Sequence, residues 1–174
     1  DKIKNFPKKL KNKVAIIPAL LRKKFYHKRI IEDIGKDINL LIIGGSQGAK
    51  LFDNIINESI VELSKRYKLK IFQQTSFENH EYLKGFYLKR NIENELFDFN
   101  EDIYDFMIKS NLAITRAGAS TLAELNFLNI PHIAIPLPSA KDNHQFENAF
   151  FYEQNDCNWV MRQIEISNDF LVNK

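Results

Sequence analysis

The sequence predicts an α/β domain: a Rossmann-like parallel sheet with helices on both faces. Three observations carry this. From about residue 37, short apolar runs alternate with longer stretches at helical spacing, as in repeated strand-and-helix units. Most of the runs are continuously apolar, which suits strands covered on both sides. Pro131, Pro136 and Pro138 punctuate the last third, where they limit helices and end a strand near Ile133.

Taken in order, strands are expected at Asn39 to Ile43, Leu69 to Gln73, Leu112 to Thr115, His132 to Ile135 and Trp159 to Met161, with a weaker one near Leu96 to Phe99. Between them, Leu51, Ile55, Ile56, Ile60 and Leu63 mark one amphipathic helix over Ala49 to Tyr67. Further helices are expected at Glu78 to Leu88, Ile103 to Lys109, Thr121 to Leu128 and Asn143 to Gln154. Residues 1–36 fit the alternation poorly. They read as a link with a core strand at Val14 to Leu21 and a basic segment, preceding a ligand-binding unit over 37–174. Both ends suggest a piece of a longer protein.

The 174 residues, 44% hydrophobic and 27% charged, suffice for one globular domain and exclude a disordered or fibrous chain. The single Cys157 excludes a disulfide framework and a Cys-rich zinc site, so a reducing, cytoplasmic compartment is expected. The longest apolar runs fall far short of the roughly 20 residues that span a bilayer. The net charge of +3 hides an asymmetry: residues 1–36 balance at +9 and the remainder at −6. That basic end could face phosphates, anionic lipid or an acidic partner, or simply solvent. No reading motif accompanies it, so nucleic acid is not expected.

Three loops could carry chemistry. Leu40 to Ala49 is a buried strand running through Gly44, Gly45, Ser46, Gln47 and Gly48 into a helix. Such a turn offers backbone N–H groups and the positive end of a helix dipole to a diphosphate, with Ser46 and Gln47 as added donors. Its spacing matches neither a P-loop nor a dinucleotide fingerprint, so tightness alone could also explain the glycines. The second loop, Thr115 to Glu124, passes through Gly118, Ala119, Ser120 and Thr121. Thr121 and Glu124 have capping-box spacing, but a carboxylate aimed outward at Glu124 could instead accept both hydroxyls of a ribose. The third, Pro136 to Asn148, is dense in neutral hydrogen-bonding groups, with His144, Gln145 and Asn148 at helical spacing, and suits sugar hydroxyls or an ordinary surface helix. All three follow strands and so gather at the carboxyl edge of a parallel sheet, where ligands bind. No Asp-x-Asp element or metal-binding His cluster is present, so metal-independent binding is expected, with no cofactor.

At these residues the sequence resembles the MurG family of bacterial glycosyltransferases. The segments are Gly44 to Ala49 (GGSQGA), Phe99 to Ile103 (FNEDI), Arg116 to Glu124 (RAGASTLAE) and Asp142 to Ala149 (DNHQFENA), in the family's order and spacing. The resemblance implies the C-terminal, UDP-N-acetylglucosamine-binding half of a GT-B enzyme. That enzyme transfers the sugar with inversion to an undecaprenyl-diphosphate-linked acceptor, as a peripheral protein on the inner face of the cell membrane. It further implies diphosphate contacts at Ser46 and the glycines, uracil at the Asn100 backbone and ribose at Glu124. Ala119, Ser120 and Thr121 would line phosphates and sugar, and His144, Gln145 and Asn148 would reach the sugar. The acceptor site and general base belong to the family's other half, so no catalytic residue is expected in this chain.

There are departures. The family's Gly-Asn-Pro-Val-Arg at the link is here Ile16-Ile17-Pro18-Ala19-Leu20-Leu21-Arg22, with the arginine displaced or lost. Position 100, usually apolar, is Asn, and the family's glycine after Gln74-Thr75 is Ser76. Two other readings stay open: a stand-alone donor-binding subunit of a two-subunit lipid-linked N-acetylglucosaminyltransferase, and a nucleotide-binding module without transfer activity.

Overall fold

The computed structural model describes residues 7–15, 17, 19–26, 37–99, 102–153 and 158–166, with residues 11 and 46–49 described in backbone only. Six strands form one parallel sheet: β1 (Asp37–Ile43), β2 (Lys68–Gln74), β3 (Glu93–Phe97), β4 (Leu112–Thr115), β5 (His132–Ala134) and β6 (Asn158–Val160). Their spatial order is β3-β2-β1-β4-β5-β6. The chain therefore winds outward from β1 in one direction, then returns and winds the other way from β4. The point of reversal lies between β1 and β4, and open sheets of this kind bind ligands in the crevice above it.

Strand register divides the core into two layers. Leu40 and Ile42 of β1 point to one face, packing with Phe52, Ile60, Leu83 and Tyr87 of α1 (Gly45–Ile55), α2 (Asn57–Ser64) and α3 (Phe77–Leu88). Leu41 and Ile43 point to the other, packing with Phe106, Met107 and Leu125 of α4 (Tyr104–Ile108) and α5 (Ala119–Phe127). A small cluster of Ala117, Leu122, Ala134 and Ala149 seats α6 (His144–Glu153). Each fully buried Leu or Ile contributes about 1.5–3 kcal/mol relative to exposure, so the faces of β1 hold both layers to the sheet. Asn91 and Asn129, at φ of 55° and 51°, close α3 and α5 in left-handed turns. After α5, the Ile130 N–H reaches the Leu125 carbonyl at 3.0 Å, the long bond of a Schellman motif.

The expected strands are present to within a few residues. The weakly signalled one is the edge strand β3, where Glu93 and Glu95 stand exposed and break the apolar run. Charged residues there protect an unpaired edge. Two expectations need correction. The helix expected over Ala49 to Tyr67 begins at Gly45 and divides at Ile56, where φ is −103° and the Asn57 side-chain amide bonds back to the Asp53 carbonyl at 2.7 Å, a local bond that competes with the helical ladder. Val14 to Leu21 is not a core strand: its described residues pair with no strand, and Val14, Ile17 and Leu20 are 43%, 66% and 83% exposed. Apolarity marked that run without marking a surface to cover it; Ile16 and Pro18 lie outside the described residues. No described helix is long and apolar enough to cross a membrane.

Candidate functional site

The turns after β1 and β4 meet above the reversal point. β1 is buried to its last residue, and the chain then turns at Gly44 directly into α1. Gly45 has φ +65° with no atom near a built Cβ, so it is required for its backbone conformation and not for space. Its N–H donates to the Gln74 side-chain oxygen at 2.9 Å, which ties the turn to the end of β2 and takes that amide out of the set open to a ligand. Ser46, Gln47 and Gly48 form the first turn of α1; their side chains lie outside the described residues.

The second turn is held from below by Arg116. This buried guanidinium donates to the Ile135 carbonyl at 3.1 Å, the Pro136 carbonyl at 3.3 Å and the Gln163 side chain at 2.9 Å, and stands 5.0 Å over the Phe52 ring. One side chain thus joins the ends of β4 and β5, the segment after β6 and α1. Its burial lowers its pKa from the ordinary arginine value. Above it, α5 starts at Ala119 with Gly118 as its cap, and Ala119 and Ser120 are exposed at the mouth with Thr121 half-buried.

The capping box of Thr121 and Glu124 does not form. Because the helix begins two residues before Thr121, that residue is already helical and no side chain caps the end. Nor is the Glu124 carboxylate open. It is buried, and the Arg22 guanidinium grips both oxygens, Nε to Oε1 at 2.9 Å and Nη2 to Oε2 at 3.0 Å.

The third loop turns sharply through Asp142 and Asn143, at φ of 51° and 55°, into α6. Two of its three expected sugar contacts face inward in part. Gln145 accepts from the Leu137 N–H at 3.0 Å and Asn148 donates to the Ala117 carbonyl at 3.1 Å, so they lock α6 to the loops after β5 and β4. His144 is exposed; its Nδ1–H donates to the Lys141 carbonyl at 2.7 Å. Beside this loop lies a cleft of about 270 Å³ between Leu137, Pro138 and Phe146 on one side and Arg162 and Ile164 on the other. Asn100 lies outside the described residues.

The charge pattern of the helix starts separates these two turns from the rest. α2, α3, α4 and α6 carry Glu58, Glu78, Asp105 and Glu147 in their first turns, whereas α1 and α5 carry no acid there. An acidic residue near a helix N-terminus stabilises the fold by roughly 0.3–1 kcal/mol. The two helices that face the crevice forgo that term, and their first-turn N–H groups keep a positive end toward it.

Reading the residues alone missed Gln74, Arg22 and the bracing role of Arg116. Gln73-Gln74-Thr75 was the available signal for the first, since three polar residues closing a buried strand must find partners. Arg22 was marked only by the departure at the link; its pairing with Glu124 gave no signal, because the partner is 102 residues away.

Residues 39–174 match the family model described as "Glycosyltransferase family 28 C-terminal domain". A relative from Pelagibacter ubique, "UDP-N-acetylglucosamine--N-acetylmuramyl-(pentapeptide) pyrophosphoryl-undecaprenol N-acetylglucosamine transferase", is 59% identical over 100% of this chain and 49% of its own length. One of the same description from Rickettsia bellii is 38% identical over 98% of this chain and 50% of its own. The chain thus spans about half the length of the curated relatives it matches. Among solved structures, that of MurG from Acinetobacter baumannii superposes with a TM-score of 0.73 at 25% identity, covering 93% of this chain and 48% of that one. The solution structure of ALG13 shares the fold, with a TM-score of 0.52 at 17% identity over 80% of this chain and 84% of that one.

Proposed function

This chain belongs to the family of glycosyltransferase family 28 C-terminal domains, and from that premise we propose that it is the donor half of a lipid-linked N-acetylglucosaminyltransferase. It binds UDP-N-acetylglucosamine above β1 and β4. The whole protein transfers the sugar to an undecaprenyl-diphosphate-linked N-acetylmuramoyl-pentapeptide, at the inner face of the cell membrane, with the acceptor and general base held outside this chain.

The observation that carries this reading is the pair of acid-free helix starts at the sheet's reversal point. A diphosphate seated there meets two helix dipoles and the free amides of their first turns. In the transfer step an acceptor hydroxyl attacks the anomeric carbon while the bond to the diphosphate oxygen breaks. Charge then grows on the departing UDP, and fixed dipoles aimed at it lower the barrier without reorganising. In this reading that stabilisation takes the place of a metal ion, and attack opposite the leaving group inverts the sugar. Ser46 and Gly48 meet phosphate, Asn100 the uracil, Glu124 the ribose, and Ser120, Thr121 and His144 the sugar side. Gln145 and Asn148 contribute through the amide groups that their loop contacts leave over.

Calorimetry with UDP, UDP-N-acetylglucosamine and NAD tests it. The expected outcome is binding of both uridine nucleotides, unchanged in EDTA, and none of NAD. Preference for NAD, or indifference to all three, removes the reading.

A further inference from the structure

The Glu124 carboxylate, the seat proposed above for the ribose, is already filled by a residue from outside the sheet. Its side chain is 6% exposed while that of Arg22, which covers it, is 41% exposed. The only described group gripping both oxygens therefore stands on the solvent side, and a ligand reaching the carboxylate comes through the space of that guanidinium.

Arg22 is held there by its own neighbourhood. Three residues on, Phe25 is fully buried and packs edge-on against Tyr104 at 4.9 Å, with the Phe25 N–H closing a turn on the Arg22 carbonyl at 2.9 Å. The Arg22 guanidinium lies 5.1 Å over the Phe25 ring. Lys24 pairs with Asp102 at 2.6 Å, two residues past Asn100, and Tyr26 meets Phe127 at 5.6 Å. The link is thus pinned by one buried aromatic, with Arg22 held on Glu124 and Lys24 on Asp102.

We propose that Arg22 is an intramolecular competitor for the ribose diol, and so an affinity-determining residue for the nucleotide. Without ligand its bidentate fork satisfies Glu124; a uridine nucleotide replaces two N–H donors by two O–H donors, and Arg22 swings off while Phe25 stays anchored. The proposal rests on the donor-binding reading above and adds to it a cost of entry set by one side chain. A bidentate arginine–carboxylate pair is favoured over most surface pairs by geometry, yet its partial exposure keeps it breakable.

The test compares UDP with 2′,3′-dideoxy-UDP on the wild-type chain, Arg22→Met and Arg22→Lys. Arg22→Met keeps the apolar stem over Phe25 and removes the fork. The expected result is that it tightens UDP by up to about fivefold, the scale of a partly exposed ion pair. Dideoxy-UDP, which cannot use Glu124, changes less than about twofold; Arg22→Lys, charged but unable to grip both oxygens, falls between. Glu124→Gln, which removes the competition and the diol's carboxylate together, brings the two nucleotides close to equal affinity. Equal weakening of both nucleotides by Arg22→Met overturns the proposal and makes Arg22 a direct phosphate contact. No change in either also overturns it. If wild-type protein binds neither nucleotide while remaining folded by circular dichroism, the donor-binding reading fails first and takes this one with it.

Discussion

Two buried carboxylates lie on helices flanking the sheet, and they are satisfied in opposite ways. Asp53 of α1, 1% exposed, accepts from Gln73 at 3.0 Å, Thr75 at 2.7 Å and Asn79 at 2.6 Å, all neutral donors carried by β2 and the start of α3. Tyr87 extends the chain by donating to the Gln73 oxygen at 2.5 Å. Burial, and then the charge of Asp53, raise the Tyr87 pKa far above its ordinary value, so that hydroxyl stays a donor. Glu124 of α5 relies on the guanidinium of a link segment. A carboxylate wrapped by neutral donors of the core is part of the fold. One closed by a single, partly exposed cation is closed reversibly, which is what a ligand seat requires.

The comparison breaks most readily at Asp53. Asp53→Ala leaves three donors without their acceptor, Gln73 and Thr75 buried and Asn79 half-buried, and is expected to lower the free energy of unfolding by about 3–5 kcal/mol in urea denaturation. Glu124→Gln is expected to cost no more than about 1 kcal/mol in the same experiment, because its partner can turn to water. Equal losses at the two sites would erase the distinction.

Gln73 and Gln74 sharpen it. Adjacent on β2, they point to opposite faces, the first serving Asp53 and the second the Gly45 N–H. Gln74→Leu leaves the Asp53 network whole and releases the glycine turn, so UDP affinity is expected to fall about tenfold with little change in uridine affinity, measured by calorimetry. A parallel fall for uridine would place the damage in the sheet and not at the diphosphate seat.

Much of this was legible in the residues. Continuous apolar runs at β1, β2, β4 and β5 marked strands buried on both faces, and the turns after them followed from glycines and small residues. Edge strands signal weakly, since half of β3 faces water. What stayed hidden were choices made between distant groups. Gly44 and Gly45 announced a turn but could not reveal that Gln74 uses one of its amides. Glu124 could be read as a cap or as a ribose ligand; the structure gives it a third partner, because a carboxylate's preference among available donors is decided by where the link runs. The run at Val14 to Leu21, where Val14, Ile17 and Leu20 stand exposed, misled for the same reason, as apolarity shows what a segment can bury and not what lies beside it.

The smallest effect concerns a buried group that is only half satisfied. His132, fully buried at the start of β5, donates from Nδ1 to the Ile130 carbonyl at 3.0 Å, while its Nε2 has no partner among the described residues. Burial lowers its pKa below the ordinary 6.5, against a smaller opposing pull from that carbonyl. Above that value the folded and unfolded chains both hold it neutral, and it adds no pH dependence. As pH falls below about 6.5, the unfolded chain takes up a proton that the folded one resists, so stability declines until the folded pKa is passed. His132→Phe removes this term. The urea midpoint of the wild-type chain should therefore fall more steeply from pH 7 to pH 5 than that of the variant. Identical slopes would mean that the core tolerates the imidazolium, and that a half-satisfied buried group can behave like Glu124 and not like Asp53.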